Sequence, residues 1–129
     1  MKEFPSCSGD WKGMKTLGSK GEDIAVEFLR HKGFRILEKN YKTFVGEIDI
    51  IALDGETVVF IEVKTRANDS FGYPFEAVHS KKRLKLRNLA LLYMKKQGKE
   101  IPIRFDVLSI MCASNGHKQI EHIVDAFEV

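Results

Sequence analysis

The chain has 129 residues, of which 43% are hydrophobic and 30% are charged, and its formal net charge is +3 at neutral pH. These values are ordinary for one soluble globular domain with a core of its own. No stretch approaches the roughly 18 consecutive apolar residues of a membrane span, so we expect no membrane partner. No charged segment followed by an apolar run marks a signal peptide, so we expect a cytoplasmic protein.

The first segment, residues 1–15, has no apolar periodicity and is rich in proline, serine and glycine. We therefore expect a disordered extension there, followed by a single domain over residues 16–129. Helix signals begin directly after Met14, which makes Met14 a candidate for the true start.

A first helix is predicted over residues 20–32, with Ser19 as its N-cap and Gly33 as its C-terminal stop. At 100° per residue, Glu22 falls on the inward side of this helix. Two interpretations of Glu22 stay open. It completes a capping box with Ser19, or it directs a carboxylate into the same pocket as Asp49.

Three strands follow, over residues 34–41, 46–53 and 57–65, and the last two are joined by the hairpin signal Asp54-Gly55. With these two residues as the loop, Leu53 pairs with Glu56, and Asp49 faces Phe60. Both faces of this hairpin carry apolar residues, which predicts strands in the middle of a sheet that is covered on both sides. One predicted face carries Ile48, Ile50, Val59 and Ile61, and the other carries Ile51, Val58 and Phe60.

Four ionisable side chains emerge on one face of the hairpin, because side chains alternate along a strand. They are Glu47, Asp49, Glu62 and Lys64. Desolvating carboxylates costs on the order of several kcal/mol per ion, and a bound cation would offset that cost. Oxygen ligands without histidine or cysteine suit Mg²⁺ or Mn²⁺. The alternative is structural: Glu62 with Lys64, and Asp49 with Arg66, form plain ion pairs.

The remaining elements predict a Gly-Pro loop over residues 71–74, a second helix over residues 75–97 and strands over residues 103–111 and 118–124. A helix that crosses between the third and fourth strands makes those two strands parallel. The fold class is therefore α/β, with a mixed central sheet of about five strands flanked by helices.

The second helix is strongly basic. Residues 79–99 contain eight lysines or arginines and no acid. A basic surface beside an acidic pocket suits a polyanion held over a metal site, although such a run is also typical of a solvated helix face.

The combined motifs resemble the bacterial YraN-like family of inferred endonucleases, within the PD-(D/E)-x-K nuclease superfamily. The matching segments are Gly18-x-x-Gly21-Glu22-Asp23-x-Ala25, Gly46-Glu47-Ile48-Asp49, Phe60-Ile61-Glu62-Val63-Lys64-Thr65-Arg66 and Arg104-Phe105-Asp106-Val107. The resemblance covers nearly all of residues 16–127. It implies a restriction-endonuclease-like core of a helix, a three-strand meander, a helix and two strands, related to Holliday junction resolvases.

The resemblance also implies roles for individual residues. Asp49 and Glu62 match the metal-binding carboxylates, and the carbonyl of Val63 is a further implied ligand. Lys64 matches the catalytic lysine, and Glu22 matches the first-helix glutamate, which adds to both the catalytic and the metal sets. A Pro often precedes the aspartate in the superfamily, where this chain has Ile48.

These observations predict a Mg²⁺- or Mn²⁺-dependent endonuclease that hydrolyses phosphodiester bonds, with branched or structured DNA as the expected substrate. Arg66, Lys82 and Arg83 are the candidate phosphate-binding residues, although relatives often carry glutamine at the position of Arg83. Junction-resolving relatives commonly act as dimers, so a homodimer is a further hypothesis. The alternative function is a nucleic-acid-binding module of this fold with vestigial or conditional cleavage.

Overall fold

The computed structural model describes residues 17–67, 80–112 and 116–126. Its elements are α1 (Leu17–His31), β1 (Arg35–Lys42), β2 (Glu47–Asp54), β3 (Thr57–Ala67), α2 (Ser80–Gln97), β4 (Ile103–Cys112) and β5 (Lys118–Ile123). Their order is the predicted one. The predicted extension over residues 1–15, the loop over 71–74 and the predicted helical residues 75–79 lie outside the described residues. Neither of the two described helices is long and apolar enough to span a membrane.

One mixed sheet contains all five strands, in the spatial order β1-β2-β3-β4-β5. β3 and β4 are parallel, as expected for strands separated by a helix. The other neighbouring strands are antiparallel. These pairings confirm the predicted α/β class, and they make β3 the central strand.

Each face of the sheet carries an apolar core. On one face, Ile24 and Leu29 of α1 are fully buried in a cluster with Ile50 and Ile61. On the other face, Leu89 of α2 is buried in a second cluster, which contains Ile51, Val58 and Phe60. The double-sided burial predicted for β2 and β3 is therefore confirmed.

Ile48 departs from the predicted faces. It is buried in the α2-side cluster, whereas Ile50 is buried in the α1-side cluster. Residues two apart in a regular strand share a face, so the alternation of β2 is broken at Asp49. On β1, Asn40 lies between the partners of Ile48 and Ile50 and has a left-handed φ of 50°. The irregularity therefore extends across both strands.

The predicted register of the β2–β3 hairpin is wrong by two residues. Asp54 pairs with Thr57 and Leu53 pairs with Val58, so the loop residues are Gly55 and Glu56. Gly55 alone of these two has a positive φ, of 61°. A glycine at the first loop position with this conformation is typical of a type II′ turn. Because the shift is an even number of residues, paired side chains keep their predicted faces.

The end of α1 is confirmed and its start is not. Gly33 has a φ of 92°, and its N–H donates to the carbonyl of Arg30, while the N–H of Phe34 donates to the carbonyl of Leu29, both at 3.0 Å. These two bonds form a Schellman motif. Leu17, the first described residue, is already helical, so Ser19 lies inside the helix and is not the N-cap. The capping-box interpretation of Glu22 is therefore wrong.

A buried polar network joins β4 to three other parts of the fold. Asp106 accepts hydrogen bonds from Nε and Nη2 of Arg104 (2.9 and 3.0 Å), from Nε2 of His122 (2.7 Å) and from the backbone N–H of Asp125 (2.9 Å). Nζ of Lys32 lies 2.9 Å from Nδ1 of His122. An ammonium group can only donate, so Nδ1 accepts and the ring proton lies on Nε2, toward Asp106.

This network keeps Asp106 ionised although it is buried. Burial raises the pKa of this carboxyl, but the hydrogen bonds from His122, Arg104 and Asp125 outweigh it, and the pKa lies below its ordinary value. Arg104 also donates from Nη1 to Asp54 at 3.0 Å. The network therefore fixes the β2–β3 turn to the start of β4.

We expect Asp106→Asn to lower the free energy of unfolding by about 3 kcal/mol, because the largely buried Arg104 would lose one of its two carboxylate partners and keep only the half-exposed Asp54. Since folding lowers the pKa of Asp106, its contribution is complete at pH 7 and is lost as the pH falls below about 4. Urea unfolding at pH 7 measures the change. Glu121→Gln, at an exposed carboxylate on β5, is the control and should cost less than about 0.5 kcal/mol. Equal losses for the two variants would contradict this assignment.

Candidate functional site

The candidate site begins where β2 separates from β3. The last pair of their ladder is Ile50 with Ile61. One residue further, Oδ2 of Asp49 accepts a hydrogen bond from the backbone N–H of Val63 at 2.8 Å. Continuing the register by one position sets Asp49 opposite Glu62, and not opposite Phe60 as predicted. The side chain of Asp49 therefore accepts the hydrogen bond of a central-strand N–H at the point where the backbone of β2 no longer pairs with β3.

Glu62 is buried, with 7% of its surface exposed, and it is held by two lysines. Its Oε1 accepts a hydrogen bond from Nζ of Lys82 at 2.6 Å. Nζ of Lys64 lies 3.5 Å from the same oxygen. The ion pair between Glu62 and Lys64 in the structural alternative is therefore present. Lys82, from α2, is the closer of the two cations.

The ionised form of Asp49 is destabilised in this arrangement. Burial raises its pKa from the ordinary value of 3.8 to about 6, and the charges of Glu62 and Glu22 act in the same direction. The hydrogen bond from Val63 and the charge of Lys82 lower the pKa but do not offset the rise. The negative charge at the site is therefore only partly compensated by the protein.

The two lysines are shifted in opposite directions. Burial lowers the pKa of Lys64, and the nearby charge of Lys82 adds to this effect against the attraction of Glu62. Burial also acts to lower the pKa of Lys82, but its hydrogen bond to Glu62 and the charge of Glu62 prevail, and the pKa of Lys82 is raised. Of the two, Lys64 is therefore the one that releases its proton more readily.

Glu22 reaches this end of the sheet through a close approach of α1 to β3. A Cβ atom at Gly21 would lie 2.0 Å from Oγ1 and 3.0 Å from Cβ of Thr65, so only glycine fits there without a shift. Thr65 follows Lys64 on β3, and Glu22 follows Gly21 on α1. The charge of Glu22 is consequently near enough to Asp49 to raise its pKa.

Other predicted residues lie further from the two carboxylates. Glu47 has 69% of its side chain exposed and lies 4.0 Å from Lys42, so it is outside the site. Within the described residues, Arg66 forms no ion pair with Asp49. Arg66 lies two residues beyond Lys64 on β3 and is half-buried, and Arg83 is exposed on α2. These two arginines remain predictions as phosphate ligands.

In residues 17–67, 80–112 and 116–126, no group of three or more histidine, cysteine, aspartate or glutamate side chains is arranged to hold a metal ion. The charges of Glu62 and Glu22 both act on Asp49, but the three carboxylates do not surround a common point. Oε1 of Glu62 instead accepts a hydrogen bond from Nζ of Lys82. Metal binding by Asp49, Glu62, Glu22 and the carbonyl of Val63 therefore stays a prediction.

The contact of Lys82 with Glu62 was not predicted, because Lys82 was expected to bind a flanking phosphate. A signal for it exists in the sequence. Lys82 precedes Leu86, Leu89, Ala90 and Tyr93 at spacings of four, seven, eight and eleven residues, and these four are the buried residues of α2. A lysine on the buried stripe of a helix must find a partner on the sheet below it.

The chain matches the model of a family described as "Uncharacterised protein family UPF0102" over residues 21–110. A UPF0102 protein of Thermodesulfovibrio yellowstonii is 50% identical over 111 residues, which cover 86% of this chain and 95% of that protein. A UPF0102 protein of Dictyoglomus thermophilum is 45% identical, with 88% of this chain and 98% of that protein covered. One of Clostridioides difficile is 46% identical, with 88% and 97% covered.

One solved structure, titled "Structure of EndoMS-dsDNA2 complex", is similar to 84% of this chain and to 42% of its own chain. The sequence identity is 17% and the TM-score is 0.41. A likeness of this extent is too partial to carry an argument about ligands or activity.

We expect Asp49→Asn to stabilise the metal-free protein above pH 6 and to have little effect at pH 4. The folded state raises the pKa of Asp49 from 3.8 to about 6, so the ionised carboxylate destabilises the fold once the pH exceeds its folded pKa. The gain should rise from near zero at pH 4 to about 2 kcal/mol at pH 7.5.

Urea unfolding in EDTA between pH 4 and 8 tests this expectation. Glu47→Gln is the matched control, since it removes an exposed carboxylate from the same strand and should show no such pH dependence. A variant Asp49→Asn that is less stable than the native chain at pH 7.5 would contradict the assignment of charge strain to Asp49.

Proposed function

The chain belongs to the UPF0102 family, the YraN family that its motifs resemble, and we propose that it is a metal-dependent nuclease. One observation carries the proposal. Asp49 and Glu62 are brought together at a break in the sheet, where Asp49 has a strongly raised pKa and a lysine of lowered pKa lies 3.5 Å from Glu62. Perturbed groups of opposite charge in one place are typical of a catalytic site.

The donor set fits a hard divalent cation. Asp49, Glu62 and Glu22 would supply carboxylate oxygens, and the carbonyl of Val63, the residue that follows Glu62, would supply a neutral oxygen. Oxygen donors of this kind suit Mg²⁺ or Mn²⁺. The partly uncompensated charge on Asp49 is the physical reason for such an ion to bind. When bound, the ion lowers the pKa of a water ligand and offsets charge on the phosphate oxygens.

Lys64 would act on the attacking water. Its lowered pKa increases the fraction of neutral amine near pH 7, and a neutral amine can accept a proton. The water oxygen would bond to phosphorus as its proton passes to Lys64, and the bond from phosphorus to the leaving oxygen would break, with the leaving oxygen taking a proton from solvent. The ion pair with Glu62 would position Lys64 for this step.

The substrate class follows from the charge of α2. This helix carries seven lysines or arginines and no acid over residues 80–97, and its Lys82 enters the site directly. A phosphate backbone is the ligand that such a surface would recognise. We propose a nucleic acid as the substrate class on this basis, and DNA in branched or structured form from the resemblance to junction-resolving nucleases.

We expect the native chain to cleave labelled nucleic acid in Mg²⁺ or Mn²⁺ and to bind it without cleavage in EDTA. A panel of linear, flapped and four-way DNA, with RNA of the same shapes, measures both properties. Asp49→Ala and Lys64→Ala should each lower the cleavage rate by at least about 100-fold while binding in EDTA changes little. Glu47→Ala, the exposed carboxylate on the same strand, should stay within about twofold of the native rate.

The same panel tests the alternative function. Salt-dependent binding without cleavage in either metal would contradict a nuclease and favour a nucleic-acid-binding module. Equal rates for the native chain and for both alanine variants would contradict the assigned residues. The mass of the protein in solution, alone and with DNA, tests the homodimer hypothesis.

We expect Lys82→Met to bind Mn²⁺ more tightly than the native chain does, by roughly fivefold or about 1 kcal/mol. Nζ of Lys82 lies 2.6 Å from Oε1 of Glu62, so a metal ion at Glu62 has to displace this ammonium group. Titration of Mn²⁺ by electron paramagnetic resonance measures the affinity. Lys95→Met, at the exposed far end of α2, is the control and should not change it. Weaker Mn²⁺ binding in Lys82→Met would contradict a competition for Glu62.

A further inference from the structure

The turn between β1 and β2 holds an aromatic side chain in solvent. Phe44 is 93% exposed, whereas the other exposed large apolar residues in the described part of the chain, Leu84, Leu91 and Val124, are between 49% and 55% exposed. Burial of a phenylalanine side chain normally stabilises a fold, and the fold forgoes this gain at Phe44. Phe44 is therefore the large apolar side chain of the described residues that is most accessible to a ligand.

The turn is rigid, so the exposure of Phe44 is built into the fold. The backbones of Thr43 and Gly46 exchange two hydrogen bonds, of 2.8 and 3.2 Å. The hydroxyl of Thr43 accepts from the N–H groups of Val45 and Gly46 and donates to the carbonyl of Gly46. Five hydrogen bonds therefore fix a two-residue loop. A side chain presented on such a loop loses little conformational entropy when it binds a ligand.

The turn lies at the same end of the sheet as the candidate site. Phe44 precedes Asp49 by five residues, so at about 3.3 Å per residue the two are roughly 15 Å apart. The turn also approaches the basic helix, because a Cβ atom at Gly46 would lie 4.0 Å from Cβ of the exposed Lys85. The acidic neighbour Glu47 is already paired with Lys42. Phe44 therefore combines an aromatic face with nearby positive charge and a short distance to the carboxylates.

We propose that Phe44 stacks on an unpaired base of a nucleic acid whose backbone crosses the site of Asp49 and Glu62. This inference rests on the proposed function and specifies its substrate. Stacking of a base on an aromatic side chain stabilises a complex whatever the base, because every base has a π-face. At about 3.4 Å per nucleotide, the stacked base lies four or five nucleotides from the phosphate at the carboxylates.

A base inside a regular duplex is already stacked on its neighbours, so Phe44 favours substrates with unpaired bases near the cleaved bond. Flaps, bulges, junctions and single strands have such bases. A protein partner would instead require a broad apolar surface around Phe44. The nearby cation Lys85 fits a polyanion better than such a surface.

The test is equilibrium binding in EDTA, where no metal-dependent cleavage occurs. The probes are DNA and RNA that carry one fluorescent 2-aminopurine at an unpaired position, and fully paired duplexes of the same length. Stacking lowers the fluorescence of 2-aminopurine. The proteins are the native chain, Phe44→Ala, Phe44→Trp and the control Leu91→Ala, which removes an exposed apolar residue from α2.

We expect the native chain, Phe44→Trp and Leu91→Ala to lower the fluorescence of the unpaired base. Phe44→Ala should abolish this change and weaken binding of the unpaired substrate by about 5- to 50-fold, while duplex binding stays within about twofold. The inference is overturned if Phe44→Ala behaves as Leu91→Ala does, if it weakens duplex and unpaired substrates alike, or if it dissociates a dimer formed by the native chain.

These outcomes separate the inference from the proposed function. Cleavage by the native chain, with no distinct effect of Phe44→Ala, overturns the role of Phe44 alone. Loss of stacking in Phe44→Ala, without cleavage by any form of the protein, supports the role of Phe44 and overturns hydrolysis. A native chain that binds neither DNA nor RNA overturns both.

Discussion

The hydrogen bond from the N–H of Val63 to the carboxylate of Asp49 is the interaction on which the rest of the site depends. A central strand cannot leave a buried N–H without a partner at low cost. β2 pairs with β3 only from Ile50 onward. The residues of β2 before Ile50 therefore offer no backbone carbonyl to Val63, and a side chain has to accept its hydrogen bond. An aspartate does so and brings a negative charge beside Glu62. The geometry that completes the sheet therefore also creates the pair of carboxylates.

Charge compensation then links this pair to α2. Lys82 lies on the buried stripe of the helix and donates a hydrogen bond to Glu62. The same contact therefore joins α2 to the sheet and neutralises part of the negative charge of the site. A divalent cation and the ammonium of Lys82 would compete for the same oxygen. Binding of a metal would consequently release Lys82 toward a phosphate group. If the site binds a metal ion as proposed, the helix that covers the second core would couple metal binding to contact with substrate.

The sequence predicted which residues share the site better than it predicted how they meet. Alternation along β3 put Glu62 and Lys64 on one face, and these two side chains do meet. The error of two residues in the register did not change this, because an even shift preserves faces. Alternation failed at Ile48, since periodicity assumes a regular strand and β2 is irregular at Asp49. The contact of Lys82 with Glu62 joins residues twenty positions apart. The helical spacing of Lys82 indicates that it faces the sheet, but it does not identify Glu62 as the partner.

Two carboxylates with opposite pKa shifts differ in how completely the protein compensates their charge. Asp106 is buried and accepts four hydrogen bonds, three of them from the side chains of Arg104 and His122, so its charge is satisfied and its pKa is lowered. Asp49 accepts one backbone hydrogen bond and faces two other carboxylates, so its pKa is raised. A group whose charge is fully compensated has no free energy to gain from a metal ion, whereas Asp49 does. The unsatisfied carboxylate is therefore the one at which a cation and its substrate would act.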